Sequence, residues 1–244
     1  MNDLEKYFYN NSENLIHKWK HYFEIYDKYF SKYKNKDLNI LEIGVFQGGS
    51  LKMWKEYFGK NVKIYGVDIN PACKSLEENG IEIIIGSQED RQFLQKLKSQ
   101  LPPIDILIDD GGHTMKQQII TFEVLFDLVK EDGLYICEDL HTSYWYDYEG
   151  GYKRKTSFIE YSKNFIDYLH AWHSRERSFK INNFTKSVHS IHYYDSMIVL
   201  EKRKISPPED LTTGNYVIPI YKPDLSFFKK VNIKIRSLLQ KQNY

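Results

Sequence analysis

The segment Ile108-Asp-Asp-Gly-Gly-His113 brings two adjacent carboxylates, two glycines and a histidine to the end of an apolar run. Burying an acidic group at such a place is costly unless the acid meets a cation. Two glycines allow the chain to turn sharply and return the histidine toward the acids. The pattern predicts a strand that ends at a site holding positive charge.

Acidic residues follow other apolar runs in the same way. Parallel strands of a doubly wound sheet present their carboxyl ends at one edge, where ligands bind. Six acids close together at that edge would repel one another, so we expect them to have cationic neighbours or raised pKa values. The six acids are Glu42, Asp68, Asp109, Asp110, Glu138 and Asp139.

Alternating apolar runs and helical patterns must position these acids. The runs are apolar on both faces, which is typical of a parallel sheet covered by helices on both sides. The sequence therefore predicts an α/β fold with a Rossmann-like sheet. Predicted strands cover 39–45, 62–69, 81–86, 104–110 and 133–139, and predicted helices cover 50–58, 71–79, 89–99 and 114–130.

The flanking regions depart from this alternation. Aromatic residues at helical spacing predict one or two amphipathic helices over 4–34, and a helix over 156–173 precedes a hairpin over 188–202 that turns at Tyr194-Asp195. Residues 227–240 combine apolar and basic residues, which indicates a docked or dimer-forming helix or one that binds a membrane surface. We expect an N-terminal helical lid (1–37), a central domain (38–204) and a docked or oligomerising extension (205–244), in a homo-oligomer.

Composition narrows the class of protein. The chain has 244 residues and a formal net charge of +1 with scattered lysines, which argues against a nucleic-acid-binding protein. Cys73 and Cys137 lie far apart without a C-x-x-C pair, so neither a disulfide framework nor a cysteine zinc site is indicated. No apolar run reaches the roughly 18 residues of a membrane span. A soluble, cytoplasmic protein is expected.

The loop after the first strand, Glu42-Ile-Gly44-Val-Phe46-Gln-Gly-Gly-Ser50, opens a helix. Such glycine loops bind dinucleotides and other nucleosides alike. A pyrophosphate prefers a helix N-terminus without carboxylates, whereas Glu42 and Asp109 would attract the sulfonium and ammonium groups of S-adenosylmethionine. Asp68 is placed to accept hydrogen bonds from ribose hydroxyls, whether the cofactor is a dinucleotide or S-adenosylmethionine. The next strand's turn, Ser87-Gln88-Glu89, either borders the adenine or caps a helix through Ser87.

Asp110, Glu138 and Asp139 remain, with His113 three residues after Asp110. Carboxylate ligand sets suit Mg²⁺ or Mn²⁺, and adjacent strand tips about 4.8 Å apart can share one ion. A histidine over such an ion is a candidate base for an alcohol proton. Two alternatives stay open: acids that serve only the cofactor and helix caps, and a His113 that is packed or caps a helix.

Four motifs occur together in this chain: E42-IGVFQGGS-Ser50, G66-VDI-Ile69, I108-DDGGH-His113 and E138-DLHTSYW-Trp145. Together they resemble the metal-dependent sugar O-methyltransferases of the mycinamicin and macrocin type, a branch of the class I methyltransferases. The resemblance covers about residues 14–202. It implies a mostly parallel seven-stranded sheet that ends in an antiparallel hairpin.

The resemblance also implies roles for individual residues. It assigns Mg²⁺ to Asp110, Glu138 and Asp139 and makes His113, beside Asp110, the base that deprotonates a sugar hydroxyl. The methyl donor, S-adenosylmethionine, is assigned to Glu42, Gly44, Asp68 and Asp109, and we add neighbouring residues of the same loops. The added residues are Phe46, Ser50, Ser87 and Gln88. The family commonly has serine at position 112, where this chain has glycine.

We therefore expect an O-methyltransferase for a sugar carried by a nucleotide or a capsular polysaccharide, such as a heptose. A macrolide acceptor is not expected, because the chain is shorter than the macrolide-sugar enzymes. The aromatic loop 141–152 is expected to close over the sugar. Alternatives are a catechol-like or natural-product acceptor, an NAD-dependent oxidoreductase and a non-catalytic binding module. Four histidines without companion carboxylates are interpreted as structural: His170, His173, His189 and His192.

Overall fold

The structure, a computed structural model, describes residues 1–221 and 223–239. Its centre is a seven-stranded sheet in the order β3-β2-β1-β4-β5-β7-β6. The first five strands are parallel, and β7 pairs antiparallel with both β5 and β6. The predicted parallel sheet and terminal hairpin are confirmed. The strands are β1 Leu38–Ile43, β2 Val62–Asp68, β3 Ile81–Ile85, β4 Ile104–Asp109, β5 Val129–Cys137, β6 Val188–Tyr194 and β7 Met197–Lys202.

The described residues contain nine α-helices. Short 3₁₀ helices add single turns, at Ser31–Tyr33, Pro71–Leu76, Phe126–Leu128, Leu140–Tyr144, Tyr146–Tyr148 and Ala171–His173. The α-helices are α1 Asp3–Asn10, α2 Tyr22–Phe30, α3 Gly49–Phe58, α4 Arg91–Gln100, α5 Met115–Leu125, α6 Phe158–Ser162, α7 Asn164–His170, α8 Asn183–Ser187 and α9 Phe227–Leu239.

Several predicted helices have different bounds. The helix predicted over 71–79 is a 3₁₀ helix that ends at Leu76. The helix predicted over 114–130 ends at Leu125, because the chain turns through 3₁₀ geometry and Val129 already pairs with Ile104 of β4. The helix predicted over 156–173 is divided into α6, α7 and a 3₁₀ turn. In the N-terminal region, residues 11–21 are not helical and separate α1 from α2.

Two apolar clusters fill the space between sheet and helices. One contains Tyr26, Phe30 and Trp54, so α2 and α3 pack against the same sheet face. The other contains Phe122 and Phe165 and covers the opposite face. Because every strand of the parallel region is apolar on both faces, the sheet is stabilised from both sides and its carboxyl edge is held rigidly.

One histidine predicted to lack a carboxylate partner has one. His192 Nε2 on β6 lies 2.9 Å from Glu201 Oε1 on β7. That part of the prediction is wrong, because the partner comes from the neighbouring strand and not from nearby sequence. The pair lies within the terminal hairpin, so its role remains structural.

The described residues after β7 are more exposed and less regular in secondary structure than the rest of the chain. Between Arg203 and Ser226, the described residues form neither helix nor strand, and most are exposed. α9 follows. Among the described helices, none combines the length and apolarity that crossing a bilayer requires.

Candidate active site

A cavity of about 710 Å³ opens at the carboxyl ends of β1, β2 and β4. The strand order reverses here, since β1 lies between β2 and β4, and open α/β sheets bind their ligands at such a point. Gly44, Asp68 and Asp110 line the cavity from these three strand ends. Its volume is in the range of small-molecule and cofactor sites.

Gly44 lets β1 and β4 approach closely at the cavity wall. Its φ is +95°, and a Cβ built there would overlap the backbone carbonyl of Asp110. The Asp68 carboxylate fixes the turn that follows Gly44, because its Oδ2 accepts hydrogen bonds from the backbone N–H groups of Val45 at 2.9 Å and Phe46 at 3.0 Å. The loop is therefore preorganised.

We expect Gly44→Ala to lower the free energy of unfolding by about 3 kcal/mol more than Gly214→Ala, because the new methyl group would force the two strand ends apart. Gly214 is a matched control: its φ is +84°, but nothing lies within 4 Å of a Cβ built there. Urea denaturation of both variants measures the difference. Equal losses would show that only the backbone conformation, and not the close approach, requires glycine.

The predicted donor residues divide into two groups. Five line the cavity, namely Gly44, Phe46, Asp68, Ser87 and Gln88. Glu42, Ser50 and Asp109 are not among its lining residues. The buried carboxylate of Glu42 accepts from Trp54 Nε1 at 2.9 Å, while its Oε1 has no hydrogen-bond partner among the described residues.

Gln88 holds the turn that follows β4. Its Nε2 donates to Asp109 Oδ1 at 2.9 Å, and its Oε1 accepts from the backbone N–H of Gly112 at 2.8 Å. The capping alternative for Ser87 is wrong, because Asp90 caps α4 and accepts from two backbone N–H groups. Ser87 lies one turn too early in the chain and contacts only the Glu89 N–H in this way.

Three predicted residues meet at the cavity's end. One ligand atom each from Asp110, His113 and Asp139 lies within 4.8 Å of the others. His113 Nε2 is 3.4 Å from Asp139 Oδ2 and 3.8 Å from Asp110 Oδ1. Two carboxylates and an imidazole at this separation can surround one divalent ion.

Glu138, the third predicted metal ligand, lies apart from this group and is fully buried. Its Oε1 accepts from the Tyr26 hydroxyl at 2.6 Å, and its Oε2 accepts from Lys18 Nζ at 2.8 Å. Both oxygens are therefore already engaged. A metal ion that used all three predicted carboxylates would have to replace the lysine at Glu138.

Lys18 was not predicted. Its side chain is only 2% exposed, and its ammonium group contacts Asp110 as well as Glu138. Burial by itself lowers the pKa of Lys18, but the charges of Asp110, Glu138 and Glu42 raise it well above its usual value. Lys18 is thus a cation among the acids.

Four of the six predicted acids show the expected consequence, a raised pKa or a cationic neighbour. Burial raises the pKa of Glu42 to about 7 and that of Asp109 to about 7. Lys18 supplies a cationic neighbour to Asp110 and Glu138. Both of the expected ways to limit repulsion between the acids are present.

The N-terminal segment covers part of this site. Leu15 and His17 line the cavity, and Asn14 Nδ2 donates to the Gln47 carbonyl at 2.7 Å. On α2, the Tyr22 hydroxyl donates to Asp139 Oδ1 at 2.9 Å. The aromatic spacing assigned this region to one or two helices, whereas residues 11–21 are not helical and lie over the cavity instead.

An aromatic surface lies beside the group formed by Asp110, His113 and Asp139. The His141 ring contacts Trp19 and Trp145, with ring centroids 5.6 Å and 4.6 Å apart. Both tryptophans are nearly half exposed. The Thr142 hydroxyl, 2.9 Å from the His113 carbonyl, joins the aromatic loop to the site.

Comparison with known proteins agrees with this architecture. A family model described as a methyltransferase domain matches residues 41–140. Over 191 residues, the chain is 33% identical to 8-demethyl-8-alpha-L-rhamnosyl tetracenomycin-C 2'-O-methyltransferase of Streptomyces olivaceus, covering 75% of this chain and 50% of that protein. Over 205 residues, it is 34% identical to demethylmacrocin O-methyltransferase of Streptomyces fradiae, covering 78% and 51%.

Solved structures of the MycE methyltransferase from the mycinamycin biosynthetic pathway are also similar. The structure in complex with Mg, SAH and mycinamycin VI has a TM-score of 0.71 and 30% identity, covering 83% of this chain and 53% of that one. The chain has the class I methyltransferase fold and contains a methyltransferase domain at residues 41–140. It spans about half the length of the curated relatives it matches.

Proposed function

We propose that this methyltransferase transfers the methyl group of S-adenosylmethionine to a sugar hydroxyl, with a divalent ion and a histidine base. One observation carries the proposal: the glycine loop with Asp68 and the cluster of Asp110, His113 and Asp139 belong to one cavity. A donor at the loop would point its methyl group toward an acceptor at the cluster. In-line transfer needs little beyond such alignment.

The donor would lie between the glycine loop and Asp68. Asp68 accepts three backbone N–H groups, from Val45, Phe46 and Asn70, and a carboxylate has lone pairs left for ribose hydroxyls. Glu42 and Asp109 do not line the cavity. They would therefore attract the sulfonium by long-range electrostatics and not by direct contact.

We propose Mg²⁺ or Mn²⁺ as the ion. Asp110 and Asp139 would hold it, and Glu138 would complete the ligand set once Lys18 has withdrawn. The similar MycE structure contains Mg, and the donor atoms present are those that hard divalent ions accept. The ion would lower the pKa of a sugar hydroxyl bound beside it.

His113 is the proposed base. Burial lowers its pKa, which favours the neutral imidazole. Its Nε2 faces Asp110 and Asp139, so this nitrogen would accept the hydroxyl proton. The required tautomer carries its own proton on Nδ1, which is buried and has no partner among the described residues.

The acceptor sugar would bind against the aromatic surface beside Asp139. Aromatic faces pack on sugar C–H groups while their polar edges donate hydrogen bonds. We take the acceptor to be a sugar carried by a nucleotide or a capsular polysaccharide, such as a heptose. The relatives named for a rhamnosyl tetracenomycin and for demethylmacrocin support a glycosylated acceptor.

We expect Trp145→Ala to raise the KM for the sugar about tenfold and to leave the affinity for S-adenosylmethionine unchanged, because the ring would contact only the acceptor. Steady-state kinetics and donor titration measure the two effects. Tyr9→Ala removes an exposed aromatic ring from α1 and serves as the control. A weaker donor affinity without a change in KM would place the donor, and not the sugar, at Trp145.

The test of the proposed function is transfer of labelled methyl from S-adenosylmethionine to nucleotide-linked sugars, glycosides and catechols, with Mg²⁺ or with EDTA. Labelled sugar that disappears in EDTA is the expected result. Labelled catechol without labelled sugar would contradict the acceptor class. Sugar labelling that persists in EDTA would contradict the ion.

A further inference from the structure

The described side chains of α9 are exposed from Phe227 to Ser237. Phe227 is 74% exposed and Phe228 is 84% exposed. Phenylalanines on a stable soluble surface are rarely so accessible side by side, and clustered exposed apolar residues mark interaction surfaces. This helix therefore presents a surface for a partner.

The apolar side chains of α9 are concentrated on one face. Phe227, Val231 and Ile235 follow one another at four-residue spacing, which aligns them along the helix. Phe228 lies next to this row. Ile233 is the exception and falls among the basic residues.

Basic residues border the apolar face on both sides. Lys230 and Lys234 lie along one border, and Lys229 and Arg236 lie toward the other. The sequence from 225 to 244 contains these four residues and Lys241 but no Asp or Glu. Since the whole chain has a formal net charge of only +1, the remaining residues together are net negative, and this segment is the strongly basic exception.

In the described part of the chain, the side-chain polar contacts of α9 are local. Lys230 Nζ pairs with Asp224 at 3.2 Å, and the Ser237 hydroxyl donates to the Lys234 carbonyl at 2.8 Å. Residues before the helix are exposed and apolar too, including Tyr216, Val217 and Ile218. The surface therefore extends beyond the helix.

We propose that α9 binds the surface of an anionic phospholipid bilayer. The helix would lie in the plane of the headgroups, with Phe227, Val231 and Ile235 toward the acyl chains and the basic residues toward the phosphates. Each basic side chain near an anionic surface strengthens binding severalfold. The proposal does not depend on the methyl-transfer chemistry.

Charge favours this occupant over a second copy of the chain. Two α9 helices packed through their apolar faces would bring both rows of basic residues close together, and α9 carries no acid to pair with them. An anionic bilayer matches the apolar face and the charge together.

The experiment is sedimentation of the full chain with vesicles of phosphatidylcholine alone or mixed with phosphatidylglycerol. We expect at least about tenfold tighter binding to the anionic vesicles, and a loss of about tenfold or more when Lys230→Gln and Lys234→Gln are combined. Lys60→Gln with Lys63→Gln is the matched control, because it removes two exposed charges from the domain and should leave binding unchanged.

A second variant tests the apolar face. Phe227→Ser with Phe228→Ser should abolish vesicle binding while circular dichroism and thermal unfolding of the domain stay unchanged. Equal binding to neutral and anionic vesicles would overturn the proposal, as would no binding to either. Light scattering that shows a dimer disrupted by the phenylalanine variant would also overturn it, in favour of a second copy.

Discussion

Replacing His113 with alanine should slow methyl transfer by at least about a hundredfold, while the affinity for S-adenosylmethionine stays within about twofold. The imidazole Nε2 lies 3.8 Å from Asp110 and 3.4 Å from Asp139, and burial lowers the pKa of His113. Single-turnover transfer and donor titration measure the two quantities separately. A slow variant with normal donor affinity would place His113 at the chemical step.

His192→Ala is the control for this experiment, because His192 pairs with Glu201 in the terminal hairpin. It should transfer methyl groups at the wild-type rate. If His113→Ala retained most of the wild-type rate, His113 would not be the base, and the alternative of a packed histidine would be correct.

Lys18→Met should raise the affinity for Mn²⁺ at least about tenfold. The Lys18 ammonium contacts both Asp110 and Glu138, so it competes with a divalent ion for the same carboxylates. Methionine preserves the length of the side chain without its charge. Titration of Mn²⁺ followed by electron paramagnetic resonance measures the affinity without requiring catalysis.

Lys20→Met is the matched control, since Lys20 is exposed and lies two residues away. It should leave the Mn²⁺ affinity unchanged. An unchanged or weaker affinity in Lys18→Met would mean that the lysine supports the ligands and does not compete with the ion. Donor binding by both variants would show that each is folded.

The sheet and the placement of the acids could be predicted from the sequence. Strands that are apolar on both faces are distinctive, and their ends place Asp68 and Asp110 at one edge without any knowledge of contacts. The hairpin at Tyr194-Asp195 was equally clear from two strand patterns around a turn.

The contacts that shape the site could not be predicted in the same way. Lys18 lies 92 residues from Asp110 and 120 from Glu138 along the chain, in a segment that was expected to be helical but is neither helix nor strand. Only the packing of α1 and α2 brings it to the acids. The Asp90 cap was missed because Ser87 was a competing candidate for the same cap. The pair of His192 and Glu201 was missed because it depends on the register between two strands.

The cavity at the reversal of strand order is the proposed binding site for S-adenosylmethionine. Calorimetric titration of the full chain with S-adenosylmethionine and, separately, with NAD is the decisive measurement. We predict saturable one-to-one binding of S-adenosylmethionine that Gly44→Ala weakens, and no binding of NAD. Binding of NAD without binding of S-adenosylmethionine would contradict the account.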